Sequence, residues 1–227
     1  MTSKQTNDCS LQGCVKMVPI FNHLAPEQLA EVMEMISSTQ QPAGTHLFHA
    51  GDQSDALYVI HTGKVRLYRL SDTGKEQLVR LLIPGDFTGE LALFLESEHE
   101  TYAKVMENAQ ICKIARSDLH KLLVRFPAIA IRLLNRLAER LEEAEQQTIR
   151  VATEKVEVRL VRFLAKLMPN GQNEATLQLP MTRKDLATYL GTSPETVSRI
   201  LAKLEKEGWL KQQGQKKIKI KAIDQLL

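Results

Sequence analysis

The chain has 227 residues with a formal net charge of +3 at neutral pH, and 43% of its residues are hydrophobic. This length accommodates two domains of ordinary size, each with its own core. The apolar runs are much shorter than the ~20 residues of a membrane-spanning helix, and the first residues lack the apolar core of a signal peptide. These features argue against a membrane protein, and we expect a cytoplasmic one with no membrane partner.

Two of the three cysteines, Cys9 and Cys14, lie in a polar leader that we place at residues 1–17 and expect to be flexible. The third, Cys112, follows in the segment AQICKIA. In a reducing compartment, cysteines more often serve as sensors, ligands or core residues than as structural disulfides. Cys112 alone would be typical of a core residue, because free cysteine is often buried.

Residues 18–126 are predicted to form a sensor domain. Its first segment, PIFNHLAPEQLAEVMEMI, predicts a short amphipathic helix with one apolar face formed by Leu29, Val32, Met33 and Ile36. Between residues 42 and 112, glycines separate strand-sized segments rich in Val, Leu, Ile and Tyr: LFHAG, ALYVIHTG, KVRLYRL and EQLVRLLIPGD. This pattern predicts a small antiparallel barrel or jelly roll, which encloses either side chains or a small ligand.

The histidines of this domain do not predict an enzyme. His46 and His49 lie close together and His61 follows later, but the spacing is not that of a barrel metal site, and no matching glutamate is evident. The sequence also lacks a nucleophile and base arrangement and a phosphate-binding glycine loop. A metal-dependent barrel enzyme is therefore only a remote alternative.

Residues 127–153 predict one long helix, since they contain no glycine and no proline after Pro127. Apolar or small residues recur three and four positions apart and form a heptad seam: Leu134, Leu137, Leu141, Ala144, Thr148 and Val151. Long helices with such a seam usually pair with a copy of themselves, so we predict a homodimer. The start of the helix, at Ile129 and Leu133, could instead pack on its own barrel.

Residues 154–227 are predicted to form a DNA-binding domain, because TRKDLATYLGTSPETVSRILAKLEKEGW contains two helix patterns joined by a very short turn. Thr182 can cap the first helix, which ends at Leu190 and Gly191. Ser193 and Pro194 are a cap and a first helical residue for the second. This arrangement is typical of a helix-turn-helix.

The second helix buries Val197, Ile200, Leu201 and Leu204, which turns a polar face outward: Glu195, Thr196, Ser198, Arg199 and Lys203. The Arg199 guanidinium can bond to guanine N7 and O6, and the Glu195 carboxylate can accept from the cytosine amino group. Phosphates repel carboxylates, so an acid at the front of this helix favours base reading. The short hydroxyls of Thr196 and Ser198 suit a phosphate or a base edge.

A small basic hairpin follows, in which Ile218 and Ile220 alternate with lysines after a turn at Gly214. Two helices and such a hairpin predict a winged helix-turn-helix, with further DNA contacts at Arg183, Lys216 and Lys217. Residues 155–227 carry 14 Lys and Arg but 7 Asp and Glu, a charge of +7, which leaves about −4 for the rest. The charge asymmetry places double-stranded DNA at the C-terminal domain.

The barrel, the segment GDFTGELALF, the long helix and MTRKDLATYLGTSPETVSRILAKLEKEGWL together resemble the CRP/FNR family of bacterial transcription regulators, over nearly the whole chain. The resemblance implies an α+β fold: an N-terminal antiparallel β-roll like that of cyclic-nucleotide-binding domains, a long dimerisation helix and a C-terminal winged helix-turn-helix. It also implies homodimers that bind pseudo-palindromic operators and contact RNA polymerase.

The resemblance is nearest to the FNR-like (Flp-type) branch. Glu195, Ser198 and Arg199 fall on that branch's E-x-x-S-R pattern, which implies half-sites of the TTGAT type, while Pro194 departs from both branches. Members that bind cyclic AMP hold its phosphate with an Arg-Ser pair, where this chain has Glu100 and Thr101. A carboxylate repels a phosphate, so cyclic AMP binding is not expected, although Arg80 or Lys104 could in principle substitute.

The family also suggests what the cysteines do. FNR proteins hold an oxygen-labile iron-sulfur cluster through leader cysteines and one cysteine in the strand that matches Cys112. Such clusters normally need four thiolates, so Cys9, Cys14 and Cys112 would need another ligand, such as Asp8. A thiol-disulfide switch, as other members use, is favoured. A ligand-controlled β-roll with inert cysteines is the alternative, and a dimer that does not bind DNA is more remote.

Overall fold

The computed structural model describes residues 15–74, 76–94, 97–169 and 172–222, without the side chains of residues 92 and 93. Most of the predicted leader, including Cys9 and Cys14, lies outside the described residues. The contacts divide the chain into two compact units, with the boundary between Arg140 and Leu141 and with residues 76–78 grouped in the second unit.

The first unit is an antiparallel β-roll with short helices. In chain order it contains α1 (Pro26–Glu34), β1 (Ile36–Gln41), β2 (His46–Phe48), β3 (Ala56–Leu70), β4 (Glu76–Leu82), β5 (Phe87–Thr88), a 3-10 helix (Glu90–Leu93), β6 (Tyr102–Ala115) and α2 (Arg116–Arg125). The sheet order is β1-β6-β3-β4, with β2 paired to β6 and β5 paired to β3. The expected roll is confirmed.

The first helix is shorter than predicted. It begins at Pro26 because proline has no N–H to contribute and favours the first helical position. It ends at Glu34, so that Ile36 begins β1 instead of extending the helix. Leu29 and Val32 are buried as expected. The strand β1, ISSTQQ, was not predicted since its polar sequence lacks the apolar alternation of a half-buried strand.

Two predicted strands on either side of Gly63 are in fact one, the 15-residue β3. The pairing of β3 with β6 shifts register between Ile60 and Val65, as at a β-bulge. Gly63 has a φ of 80°, and a Cβ on this residue would lie 2.5 Å from the Asn108 carbonyl oxygen. The glycine therefore bends a continuous strand and does not form a turn between two strands.

We expect Gly63→Ala to lower the free energy of unfolding by about 2 to 5 kcal/mol, since a left-handed backbone and overpacking each add a cost. Urea denaturation of the full chain measures this loss. Gly44→Ala is the matched control, because Gly44 has a φ of 94° but nothing within 4 Å of the added carbon. Equal losses in the two variants would contradict the steric explanation.

Apolar residues from α1, β3, β6 and α2 form one core of the roll, and a second core lies among β2, β3, β4 and β6. The long helix α3 (Pro127–Thr153) begins in this unit. Its residues Ile129 and Leu133 are buried in the first core. The start of α3 therefore packs on the roll, while the helix has the predicted bounds.

The second unit is a winged helix-turn-helix. After α3 it contains α4 (Val156–Lys166), β7 (Ala175–Gln178), α5 (Arg183–Tyr189), α6 (Pro194–Lys206), β8 (Leu210–Gln213) and β9 (Lys217–Ile220). The three strands form an antiparallel sheet in the order β7-β9-β8, of which β7 was not predicted. Among the described residues, every helix is too short or too polar to cross a membrane.

His99 makes the stability of the roll depend on pH. Its side chain is 9% exposed and stacks on Phe48 with ring centroids 3.6 Å apart. Burial lowers the pKa of His99 below 6.5, against the opposing charges of Asp52 and Asp55. The folded chain thus binds this proton more weakly than the unfolded chain, so stability falls as the pH drops below about 6.5.

We expect His99→Phe, which keeps an aromatic ring at this position, to reduce the loss of stability between about pH 7.5 and about pH 5. Urea midpoints at the two pH values measure the difference. Part of the pH dependence of stability should remain in this variant, because burial also lowers the pKa of His23. An unaltered slope in the His99 variant would disprove the assignment.

Candidate DNA-binding surface

The two helices of the helix-turn-helix begin at the predicted caps. The Thr182 hydroxyl accepts from the Asp185 backbone N–H at 3.1 Å and donates to the Asp185 carboxylate at 2.7 Å. The Ser193 hydroxyl accepts from the Thr196 N–H at 3.3 Å, and Pro194 follows at the first helical position. Gly191, with a φ of 65°, closes α5 in the left-handed conformation. These local bonds fix where both helices start and where the turn lies.

Burial of one stripe of α6 determines which side chains face solvent. Val197, Leu201 and Leu204 are buried and Ile200 is 9% exposed. Glu195, Ser198 and Arg199 are exposed, whereas Thr196 is half-buried with its hydroxyl 3.3 Å from that of Ser193. Within the residues that the structure describes, the Arg199 guanidinium has no hydrogen-bond or ion-pair partner.

The Glu195 side chain is held as a carboxylate. Hydrogen bonds from Ser193 and from its own backbone N–H, at the start of α6, lower its pKa below the ordinary value. A carboxylate only accepts hydrogen bonds, and the major groove offers the amino groups of cytosine and adenine as donors. The charge state of Glu195 is therefore suited to base reading near neutral pH.

Two of the predicted DNA contacts have partners inside the unit. Arg183 donates to Gln212 Oε1 at 2.7 Å and to the Gly214 carbonyl at 3.4 Å, so it holds the turn of the wing. Lys203 pairs with Glu157 of α4 at 2.9 Å. Any contact of these two cations with phosphate competes with bonds that they already make.

The wing itself has the predicted pattern, with Ile218 and Ile220 buried and the turn at Gly214 in the left-handed conformation. Lys216 and Lys217 are exposed at the start of β9. Glu205 of α6 accepts from the Gln212 backbone N–H at 2.9 Å and from its side-chain amide at 2.7 Å. Sequence reasoning did not identify Glu205 and Gln212, because their pairing depends on how β8 folds back on α6.

In the roll, the glutamate of the GELALF segment is bound by two arginines. Glu90 accepts from Arg140 of α3 at 2.8 Å and lies 3.5 Å from Arg80. Arg140 also donates to the Phe87 carbonyl at 3.0 Å and stacks over the Phe87 ring at 4.1 Å. Burial, with the neighbouring charge of Arg80, lowers the pKa of Arg140 to about 10. This cluster ties the long helix to the roll.

Two of the residues that the sequence relates to a cyclic phosphate have partners within the roll. Glu100, in the place of the family's phosphate-binding arginine, pairs with Arg69. Arg80, one of the two possible substitutes, donates to the Phe87 carbonyl at 3.2 Å, and Lys104 lies on β6 opposite Arg66. Glu100 and Arg80 are therefore each held by another group of the roll.

The structure describes Cys112 and the predicted histidines, whereas Cys9 and Cys14 lie outside the described residues. Cys112 is fully buried on β6, with its sulfur 3.9 Å from the Ser38 hydroxyl, and it is disulfide-bonded. His46 Nε2 lies 3.0 Å from the Tyr68 hydroxyl, and its ring centroid lies 4.6 Å from that of His49. The described residues contain no group of three or more His, Cys, Asp and Glu side chains arranged to hold a metal.

Comparison with known proteins agrees with this architecture. Residues 39–126 match the cyclic nucleotide-binding domain, and residues 158–227 match the Crp-like helix-turn-helix domain. The chain is 33% identical to the "Probable transcriptional regulator flp" of Lacticaseibacillus casei over 202 residues, 89% of this chain and 91% of that protein. It is 34% identical to the "Cyclic AMP receptor protein" of Thermus thermophilus over 194 residues, 86% of this chain and 88% of that protein.

A solved structure, FixK2 of Bradyrhizobium japonicum, is similar with a TM-score of 0.73 and 25% identity, over 84% of this chain and 95% of that one. The fold and the helix-turn-helix define a DNA-binding transcription regulator, and the relatives are likewise regulators and not enzymes. The chain belongs to the CRP/FNR family.

Proposed function

We propose that this regulator binds a pseudo-palindromic, FNR-like operator as a homodimer. The observation that carries the proposal is the outward face of α6, where Glu195, Ser198 and Arg199 are exposed beside one another. A guanidinium and a carboxylate one helical turn apart can read a guanine and a cytosine in one major groove. Lys216 and Lys217 at the wing supply sequence-independent contacts to phosphate.

The exposed apolar side chains of α3 support a homodimer. Leu134 is 59% exposed and Leu141 is 62% exposed, and both belong to the predicted heptad seam. Leu137, by contrast, packs partly on the core of the roll. A second copy of α3 would cover the exposed positions, and a two-fold dimer would present two recognition helices to half-sites about one turn of DNA apart. Contact with RNA polymerase is proposed from the family.

We further propose that the signal is redox, through a disulfide between Cys112 and Cys9 or Cys14. Cys112 is buried in the core of the roll near the C-terminal end of β6, so a change in its oxidation state would alter the packing there. Two thiols give up two electrons and two protons to an oxidant such as diamide, and a sulfur-sulfur bond forms. The relatives named "Anaerobic regulatory protein" and "Fumarate and nitrate reduction regulatory protein" favour a redox or oxygen signal.

Anaerobically purified protein tests the signal. Operator affinity, free thiol count and iron content are measured before and after diamide treatment, on the natural chain and on Cys112→Ala. We expect affinity to change with the loss of two thiols in the natural chain, without iron, and to stay constant in the variant. A brown, iron-bearing protein whose binding fails in air would replace the switch with a cluster. Identical binding in both states would favour a ligand in the β-roll.

A further inference from the structure

The second unit contains a cavity that the proposed function does not use. Its volume is about 310 Å³, at the lower end of the range for small-molecule sites. The lining comes from the last turns of α3, from α4 and from the end of α5: Gln147, Arg150, Arg159, Arg162, Phe163, Ala165, Lys166, Tyr189 and Leu190. None of these belongs to the outward face of α6 or to the wing.

Charge in this cavity has one sign. Of the nine lining residues, four are cations and none is a carboxylate. The ion pair of Arg162 with Glu154 at 3.3 Å offsets one of the four. Cations gathered around a partly apolar space repel one another, and a bound anion would relieve that repulsion.

Arg159 is the most constrained of the cations. The residue is only 7% exposed. It donates to the carbonyls of Arg150, Val151 and Glu154, at 3.2, 2.6 and 3.2 Å. Its Nε is buried and reaches no acceptor among the described residues. A buried cation whose described acceptors are backbone carbonyls would be stabilised by an anion bound beside it.

Two residues of the lining are aromatic. The rings of Phe163 and Tyr189 lie 5.6 Å apart between centroids, at 57° to each other. Gln147 donates to the Tyr189 carbonyl at 2.8 Å and so fixes the end of α5 against α3. Burial raises the pKa of Tyr189, so its hydroxyl stays protonated and can donate. Aromatic faces together with nearby cations suit a flat apolar body that carries an acidic group.

We propose that this cavity binds a small organic anion, with a flat apolar body against Phe163 and Tyr189 and a carboxylate or phosphate among the four cations. Such a ligand would contact α3, α4 and α5 at once and stabilise their packing within the second unit. The inference goes beyond the proposed function, because binding at this site requires neither an operator nor a change in the cysteines.

Matched probes test the charge requirement on the full, reduced chain in the absence of DNA. Calorimetric titration compares 1-naphthoate and 1-naphthyl phosphate with the neutral 1-naphthamide, which has nearly the same shape as the first. We expect an anion to bind at least about tenfold more tightly than the amide. The anion that binds more tightly identifies which acidic group the site takes. Affinity of both anions no greater than that of naphthamide, or binding of no probe, would overturn the proposal.

Variants then assign the binding to this cavity. The double substitution Arg162→Gln and Lys166→Gln should weaken binding of the anion by at least about tenfold. Lys155→Gln, which removes a cation of the same domain outside the lining, should leave it unchanged. Arg162→Lys keeps the charge and checks that loss of binding does not reflect loss of folding. Competition at the same concentration by inorganic phosphate would mean an adventitious ion only, and displacement by random duplex DNA would assign the cations to the DNA backbone; both results overturn the proposal.

Discussion

Replacing Leu141 by glutamate is expected to leave a folded monomer whose affinity for a palindromic operator is lower by more than about 100-fold. Leu141 is 62% exposed on α3, in the middle of the proposed seam. In a two-fold dimer the residue meets its own copy, so the substitution removes two apolar side chains and places two carboxylates close together. A monomer binds one half-site and loses the avidity of the second.

Light scattering gives the mass of this variant, and fluorescence anisotropy gives its operator affinity. Val124→Glu is the matched control, because Val124 is 83% exposed on α2 and lies outside the seam. We expect the control to remain dimeric and to bind the operator as the natural chain does. A Leu141 variant that stays dimeric, or a monomer with full operator affinity, would refute the role given to α3.

Arg199→Ala is expected to cost about 1 to 3 kcal/mol at the cognate operator and much less on random DNA. The exposed guanidinium of Arg199 is free of partners among the described residues, so its truncation breaks no bond of the folded chain that the structure describes. The loss therefore reports the contact with a base edge, provided that guanine is the base read. Affinities for the operator and for a scrambled duplex, at one salt concentration, measure the loss on each kind of DNA.

Lys206→Ala is the control for charge alone, because Lys206 is exposed in the last turn of the same helix. This variant should weaken both duplexes to a similar, small extent, as loss of a phosphate contact does. If the Arg199 variant behaves in the same way, losing as much on scrambled DNA as on the operator, then Arg199 contacts the backbone and does not read bases.

Local signals predicted the helix-turn-helix almost residue by residue. The caps at Thr182 and Ser193, the proline at the start of α6 and the glycine that closes α5 act over three or four residues, so the sequence alone shows them. The buried stripe of α6 follows from helical periodicity in the same way.

Contacts between distant residues were not predictable in this way. The Glu90 and Arg140 ion pair joins residues fifty positions apart, and the bonds from Arg183 to the wing depend on the hairpin turn. Gly63 was misread as a turn because glycine has the same sequence signal in a turn and in a bulge. The polar strand β1 pairs along β6 and needs no apolar alternation of its own to form.

Sequence-specific binding of a palindromic operator is the function that we propose for this chain. The most direct test is the affinity of the reduced, full-length chain for a duplex with two inverted TTGAT-type half-sites, compared with a scrambled duplex of the same composition, over a series of salt concentrations. We predict an operator preference of at least about 1,000-fold, with both affinities falling as salt rises. Equal affinity for the two duplexes at every salt concentration would contradict sequence-specific binding.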